Sequence, residues 1–199
     1  MSDVLVLYAS RRGNVAQMAQ FIARGVGEVE GMAARVRSVP RVSTVCEAVE
    51  SQVPAAGAPY VTQNDLRECT GFLFGSPAHF GNMAAELKYF FDSITGLWLS
   101  GGLSGKPAAV FTSSSTLHGG QESTLLSMMI PLLHHGMVLV GIPYTEADLV
   151  STRSGGSPYG ATHVAGVSDN APLTDEEKRL CRALGKRVAV ISQRLSANV

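Results

Sequence analysis

Four short, almost uninterrupted apolar runs dominate the sequence. They cover residues 4–8, 71–75, 108–111 and 137–140. Runs without alternating polar residues are typical of strands that are buried on both faces, as in a parallel sheet covered by helices. A weaker strand is predicted at residues 34–39.

Segments with helical periodicity separate these runs. Helices are predicted at residues 14–26, 82–94, 121–133 and 174–195, and the acidic start of the last one is interpreted only as a capping sequence. Because strands and helices alternate, we predict an α/β fold with a doubly wound, five-stranded parallel sheet and helices on both faces. The sequence has no internal repeat or low-complexity linker, so residues 1–199 are predicted to form a single domain.

Composition and charge restrict the classes of function. Of the 199 residues, 45% are hydrophobic and 16% charged, which excludes a disordered chain. The formal net charge is zero, so the basic excess of a general nucleic-acid-binding protein is absent. The apolar stretch at residues 128–140 is interrupted by Pro131 and Gly136, and the N terminus does not resemble a signal peptide. We expect a cytoplasmic protein without direct contacts to nucleic acids or membranes.

The spacing of cysteines and histidines argues against a metal centre. Cys46, Cys69 and Cys181 lie far apart and form no C-x-x-C pair, which also argues against a disulfide framework. The histidines show no H-x-x-x-H spacing, and His118 and His163 fall in separate predicted loops. No metal site is predicted.

Residues 40–65 fit no element of this scheme. They include Pro54 and Pro59 and have no clear periodicity. Unstructured connections longer than about 12 to 15 residues are uncommon inside compact domains. We expect this segment to cover an active site or a subunit contact, and a tolerated surface insertion is the alternative.

Three loops that follow predicted strands form the candidate site, because ligands of open α/β sheets bind beyond the carboxyl ends of the strands. Residues 10–15 combine a hydroxyl, two arginines and a glycine before a helix, a combination suited to a phosphate, with Asn14 as the predicted cap. Residues 76–82 lead to a helix that we expect Asn82 to cap. Residues 112–122 are rich in hydroxyl groups and glycine. A solvent-facing turn is the alternative interpretation of the first loop.

The residue types in these loops exclude several common sites. Residues 100–107 lack the first glycine and the terminal hydroxyl of a Walker phosphate loop. No G-x-G-x-x-G follows the first strand, and no G-x-S-x-G nucleophile elbow occurs. A mononucleotide phosphate remains the best interpretation of residues 10–15.

Six sequence blocks occur in a fixed order along the chain. They are YASRRGNV (8–15), GSP with FGNM (75–83), GLW (96–98), HGGQE (118–122), HHGM (134–137) and SPYGA (157–161). Together, over residues 4–166, they resemble the WrbA family (tryptophan repressor-binding protein type) of flavodoxin-like NAD(P)H:quinone oxidoreductases. The resemblance implies tightly but non-covalently bound FMN and two-electron reduction of quinones by NADH or NADPH. It also implies a homotetramer in which neighbouring subunits help to wall each active site.

The resemblance further implies which residues form the site. The phosphate is expected on the first loop and the isoalloxazine ring between the second and third loops. Trp98 and Arg12 are the implied substrate-binding residues, Trp98 by stacking on a planar substrate and Arg12 through the phosphates of the nicotinamide cofactor. No residue is implied as an obligatory acid or base, because the flavin carries the hydride chemistry. The expected FMN-binding residues are Ser10, Arg11, Arg12, Gly13, Asn14, Val15, Pro77, Ala78, His79, Phe80, Gly81, Ser113, Ser114, Ser115, Thr116, Leu117, His118, Gly119 and His134.

A few positions differ from the usual family pattern. Arg12 stands where an aromatic residue is common, Ala78 and His79 replace Thr-Arg, and Ser115 replaces a glycine. The first difference leaves the preference between NADH and NADPH open. The change to His79 exchanges a permanent cation for a side chain whose charge varies near neutrality, so we expect activity to fall as the pH rises.

Two other classes of function are weighed against this one. A one-electron carrier of the flavodoxin type would share the fold, but the zero net charge, the extra length and the blocks around Trp98 and at residues 157–161 count against it. A regulatory protein that uses FMN only structurally is the second alternative, and the neutral composition disfavours direct DNA contact.

Overall fold

The computed structural model describes residues 2–40 and 57–197 of the chain. The elements, in chain order, are β1 (Ser2–Tyr8), α1 (Asn14–Val26), β2 (Met32–Ser38), α2 (Gln63–Glu68), β3 (Gly71–Pro77), α3 (Ala85–Ser93), α4 (Thr95–Leu99), β4 (Pro107–Ser114), α5 (Gln121–His134), β5 (Val138–Leu139), α6 (Asp148–Ser151), β6 (Gly160–Val164) and α7 (Asp175–Ser196).

The strands form one parallel sheet in the order β2-β1-β3-β4-β5, with β6 also paired to β4. Alternate residues of β1 enter opposite cores. Val4 and Val6 pack with α1 and α7 on one face, whereas Leu5 and Leu7 pack with α3 and α5 on the other. The predicted α/β class, the parallel sheet and the helices on both faces are confirmed.

The outer position next to β4 is shared by two strands. The predicted strand at residues 137–140 is reduced to Val138–Leu139, which pairs with Pro107 and Ala108 at the start of β4. Gly160–Val164 pairs with the remainder of β4, from Val110 to Ser114. The sheet therefore has six strands within the described residues, one more than the five predicted, although only five positions lie side by side.

Two of the predicted helix N-caps are wrong. The N-cap of α1 is Gly13 rather than Asn14, and the side chain of Asn14 instead binds Asp169. Helix α3 begins at Ala85, because residues 79–82 form a tight turn before it, and its N-cap is Ala84 rather than Asn82. The predicted capping sequence of α7 is confirmed as a reciprocal capping box.

Helices α1 and α7 approach each other closely through two glycines. A Cβ atom added to Gly25 would overlap the carbonyl oxygen of Arg182, and one added to Gly185 would overlap that of Ile22. The two helices therefore pack backbone against backbone, with Met18, Leu184 and neighbouring side chains in the same core.

The long segment at residues 40–65 is only partly described. Its end is ordered: Tyr60 bridges to Ser38 in parallel, and Thr62 and Asp65 form the capping box of α2. Cys46 and the rest of residues 41–56 lie outside the described residues, so the predicted covering role stays a prediction. Within residues 2–40 and 57–197, no helix is long and apolar enough to cross a membrane.

Candidate functional site

The three predicted loops line one cleft of about 290 Å³ at the carboxyl ends of β1, β3 and β4. From the predicted set it is lined by Ser10, Arg11, Arg12, Asn14, Val15, Pro77, Ala78, His79, Ser113, Ser114 and Ser115. Val167 and Asp169, from the loop after β6, close another side and were not predicted. The other predicted residues of these loops do not line the cleft, namely Gly13, Phe80, Gly81, Thr116, Leu117, His118 and Gly119.

The first loop presents backbone N–H groups at the start of α1. Ser10 Oγ accepts hydrogen bonds from the N–H groups of Gly13 (3.1 Å) and Ala16 (3.4 Å), which folds the loop around the hydroxyl. Gly13 has a φ of +96°, a conformation that L side chains rarely adopt. The N–H groups of Arg11, Arg12, Asn14 and Val15 donate to no acceptor within the described residues. Free N–H groups at the positive end of a helix dipole fit the phosphate of FMN.

Both arginines of this loop have an acidic partner. Arg11 lies 3.7 Å from Glu86 and Arg12 lies 3.4 Å from Asp169, and both guanidinium groups are largely exposed. The other carboxylate oxygen of Glu86 is buried without a partner among the described residues. A phosphate in the cleft would therefore rely on backbone N–H groups and Ser10 more than on an unpaired side-chain cation.

The second and third loops are joined to each other. The N–H of Ala78 donates to the carbonyl oxygen of Ser113 at 2.8 Å. Gly120 has a φ of +87°, and a Cβ atom there would lie 2.9 Å from Gly81 Cα. This contact keeps the backbones of the two loops close to each other.

A tight turn at the tip of the second loop carries a fully exposed aromatic ring. His79 and Asn82 exchange backbone hydrogen bonds of 2.8 and 2.9 Å, and both central residues have positive φ, +50° at Phe80 and +74° at Gly81. A bulky residue is strained in this conformation. The Phe80 ring nevertheless projects entirely into solvent in the single chain.

Trp98 and His134 lie in a second, larger cleft of about 750 Å³. Their rings stack at 5.3 Å with 26° between the planes, and Trp98 Nε1 donates to the carbonyl oxygen of His134 at 3.1 Å. Among the described residues, none that lines this cleft also lines the first one. Within one chain, the structure therefore does not bring Trp98 or His134 to the predicted FMN loops. Burial, together with the charge of His134, lowers the pKa of His135, which lines the same cleft.

A buried ion pair lies behind the first cleft and was not predicted. His163, in β6, and Glu177, in the first turn of α7, are both fully buried, with 2.8 Å between His163 Nδ1 and Glu177 Oε2. Burial by itself raises the pKa of Glu177, but hydrogen bonds from His163, Thr174 and Ser154 lower it to about 2. Glu177 is thus more than the helix cap that the sequence indicates. A histidine and a glutamate 14 residues apart gave no signal, since their contact depends on β6 and α7 meeting.

Comparisons with known proteins agree with this geometry. The sequence profile of the NADPH-dependent FMN reductase family matches residues 2–148. The chain belongs to this family. Its curated relatives include two proteins named NAD(P)H dehydrogenase (quinone). The one from Solidesulfovibrio magneticus is 41% identical, over 98% of this chain and all of the relative. The one from Geotalea daltonii is 44% identical, over 96% and 97%.

Solved structures that are similar to this chain have the same fold. A WrbA-like flavodoxin from Agrobacterium tumefaciens has a TM-score of 0.69 at 19% identity, covering 98% of this chain and 99% of that one. An archaeal flavodoxin has a TM-score of 0.63 at 18% identity, covering 96% and 99%. The flavodoxin-like fold and the predicted family resemblance are confirmed.

Proposed function

We propose that this chain is an FMN-dependent NAD(P)H dehydrogenase that reduces quinones to hydroquinones by two-electron transfer. The observation that carries the proposal is the convergence of three strand-end loops on one cleft whose first loop offers free N–H groups to a phosphate. The names of the curated relatives support the reaction.

The first loop holds the FMN phosphate in this proposal. The Ser10 hydroxyl and the N–H groups at the start of α1 bind its oxygens, while Gly13 gives the loop the backbone turn that aims those groups at one point. Asp169 and Glu86 keep the arginine side chains at the rim. The exposed guanidinium of Arg12 is available to the phosphates of the nicotinamide cofactor, since its ion pair is long and solvent-screened.

The second and third loops hold the flat ring. The joined backbones of residues 77–81 and 113–119 exclude water from its two sides, and N–H groups of the third loop orient its polar edge. FMN bound there would supply the hydride and two-electron chemistry that connects the nicotinamide to the quinone. The chain needs no residue of its own as an obligatory acid or base.

We further propose that the active unit is a homotetramer of single-domain chains in the cytoplasm. The exposed Phe80 ring, held in a strained turn, supports a contact with another subunit, because strain at an exposed apolar residue is retained where a partner uses it. Trp98 and His134 line a cleft away from the FMN loops of their own chain. In the assembly they face the flavin site of a neighbour, where Trp98 stacks on the quinone.

The test of the proposed function starts with the purified protein and added FMN. We expect quenching of FMN fluorescence, bleaching of the visible flavin bands by NADH or NADPH without air, and recovery of the bands when 1,4-benzoquinone is added. A one-electron carrier would bind FMN but would not turn over the nicotinamide with benzoquinone. A chain that binds no FMN would refute the proposal.

Complementation between subunits tests the proposed assembly. Gly13→Val, which cannot adopt the left-handed φ of the phosphate loop, and Trp98→Ala are each expected to lower quinone reduction at least tenfold. Tetramers reassembled from both variants should regain part of the activity, since some sites then combine an intact loop with an intact Trp98. Tyr89→Ala, which removes an exposed aromatic ring of α3 outside both clefts, is the control. A monomeric chain by light scattering, or no recovery in mixed tetramers, would contradict the shared site.

A further inference from the structure

The ring of His163 faces two hydrogen-bond acceptors. Nδ1 lies 2.8 Å from Glu177 Oε2 and Nε2 lies 3.1 Å from the carbonyl oxygen of Ala171. A neutral imidazole has one donor and one acceptor nitrogen, so it would point a lone pair at one of these oxygens. Hydrogens on both nitrogens would satisfy both acceptors, so the geometry suits an imidazolium paired with a carboxylate.

Glu177 is held in its ionised form by further donors. Its Oε1 accepts from the Ser154 hydroxyl and the Gly155 N–H at 2.8 Å and from the Val164 N–H at 3.2 Å, and its Oε2 accepts from the Thr174 N–H at 2.9 Å. A carboxylate with this many donors is stable without water. The Glu177 carboxylate therefore presents a negative charge to the His163 ring. The ionisable neighbours along α7 are the exposed Asp175, the partly exposed Glu176 and their ion-pair partners Lys178 and Arg179. The buried Cys181 thiol also lies on α7, and its pKa is raised by burial and by the charge of Glu177.

The other bond of His163 ends on the loop that closes the first cleft. Residues 165–171, called here the closing loop, are tied at their base by the bond from the Ala171 N–H to the carbonyl oxygen of Ala165 (2.8 Å). His163 Nε2 binds the same end of the loop, at the carbonyl oxygen of Ala171. The base of the closing loop is thus fixed from inside the core.

The tip of the closing loop contacts the phosphate loop, residues 10–15. Asp169 accepts a 2.8 Å hydrogen bond from the Asn14 side chain and pairs with Arg12 at 3.4 Å, and the carbonyl oxygen of Ser168 lies 3.4 Å from the Arg12 guanidinium. Asp169 has a φ of +54°, so its orientation depends on the loop keeping its shape. A continuous chain of contacts therefore runs from His163, through the closing loop, to Asn14 and Arg12.

We propose that His163 is a positioning residue for FMN: by binding the carbonyl oxygen of Ala171 it fixes the closing loop, so that Asp169 holds Arg12 and Asn14 in the arrangement that binds the cofactor. This inference rests on the proposed function, because it assumes that the first cleft holds FMN. The hydrogen bond between His163 and Glu177 has a different effect, because it stabilises the buried charge of Glu177 and does not position the cleft residues.

Two substitutions separate the two bonds of His163. Asparagine places its amide near the position of Nδ1, so His163→Asn keeps the bond to Glu177 and loses the bond to Ala171. Glutamine reaches the position of Nε2, so His163→Gln keeps the bond to Ala171 and loses the bond to Glu177. Neither amide carries a charge, so both variants remove the histidine charge equally. We expect His163→Asn to weaken FMN binding about tenfold, the effect of losing one charge-assisted hydrogen bond. We expect His163→Gln to bind FMN within about twofold of the parent chain but to melt at a lower temperature than His163→Asn.

The measurements are the Kd of the flavin-free chain for FMN, by fluorescence quenching, and the melting temperature of each variant. If His163 had a purely structural role, the variant with the lower melting temperature would also bind FMN more weakly. The proposal requires the opposite, namely that His163→Asn binds FMN more weakly than His163→Gln but melts at a higher temperature. Val188→Ala, which removes core volume on α7 away from both loops, is the control for lost stability alone. If Val188→Ala weakens FMN binding as much as His163→Asn does, the proposal is wrong.

A double variant tests whether His163 acts through Asp169. Asp169→Gly removes the carboxylate and accepts the positive φ, and it is expected to weaken FMN binding about as much as His163→Asn. The two changes together should be no worse than either alone, because they break the same chain of contacts. Additive effects, or tighter FMN binding by Asp169→Gly, would overturn the proposal. If the parent chain binds FMN and His163→Asn does not change the Kd, this inference fails while the proposed function stands; if the parent chain binds no FMN, both fail.

Discussion

Replacing Glu177 by glutamine should lower the free energy of unfolding by about 3 kcal/mol at pH 7. The side chain is fully buried and faces the His163 ring. The amide oxygen of glutamine still accepts from Ser154, Gly155 and Val164. Its NH₂ group, however, meets the N–H of Thr174 and can no longer balance the charge of His163. The cost is therefore at the lower end of the 3 to 5 kcal/mol expected when one partner of a buried pair is removed.

The pH dependence gives a second, independent magnitude. The pKa of Glu177 is lowered from its ordinary value of 4.5 to about 2 in the folded chain. A lowered folded pKa means that the stabilisation is complete above the unfolded pKa and is lost as the pH falls through the folded one. The difference between these pKa values corresponds to about 3 kcal/mol. The advantage of the parent chain over the variant should shrink below pH 4.5 and fall to less than half of its neutral value at about pH 3.

Urea unfolding followed by circular dichroism at both pH values measures this difference. Glu176→Gln is the matched control, because Glu176 is adjacent to Glu177 but partly exposed. Its ion pair with Arg179 is long, at 3.7 Å. It should change stability by less than about 0.5 kcal/mol at either pH. A loss below about 1 kcal/mol for Glu177→Gln, or the same loss at pH 3 as at pH 7, would show that the buried pair is not a charged one.

Two further perturbations test the packing. Gly185→Ala should lower the melting temperature by several degrees: the new Cβ meets the carbonyl oxygen of Ile22, and the overpacking cost of about 1 to 3 kcal/mol exceeds the helix-propensity gain of about 1 kcal/mol. Thermal unfolding followed by circular dichroism measures it, and an unchanged or higher melting temperature would contradict the close approach. In a Cys46→Ser background, Ellman's reagent should label neither remaining thiol until the chain unfolds, because burial raises the pKa of Cys69 to about 11 and raises that of Cys181 further. Rapid labelling of the native variant would show that one of these thiols is accessible.

The fold and the loop set were predictable because they depend on local patterns. The apolar runs of β1, β3 and β4 and the stripe of α1 carry their own periodicity, and the loops follow the strands directly. Strand β6 was missed for two reasons. Its sequence, GATHV, has only two β-branched residues, Thr162 and Val164. Its partner strand, β4, lies about fifty residues earlier in the chain.

The rest of the site depends on contacts between distant segments. Asp169 enters the cleft only because the closing loop folds back across α1, and no spacing in the sequence links it to Arg12 or Asn14. The caps show the same limit at short range. Gly13 replaces Asn14 as the N-cap of α1, because the loop must turn through a positive φ before the helix begins.

The close seam between α1 and α7 has a consequence for how the protein forms on the ribosome. Helix α1 is synthesised well before α7, yet each supplies the carbonyl oxygen that the other's glycine accommodates. Until Asp175–Ser196 has emerged, the sheet face carrying Val4 and Val6 lacks the part of its cover that α7 supplies. We therefore expect the nascent chain to complete its core, and with it the phosphate loop at the start of α1, only after α7 has left the ribosome. Chains truncated before α7 should be substrates for chaperones and proteases rather than partly active enzymes.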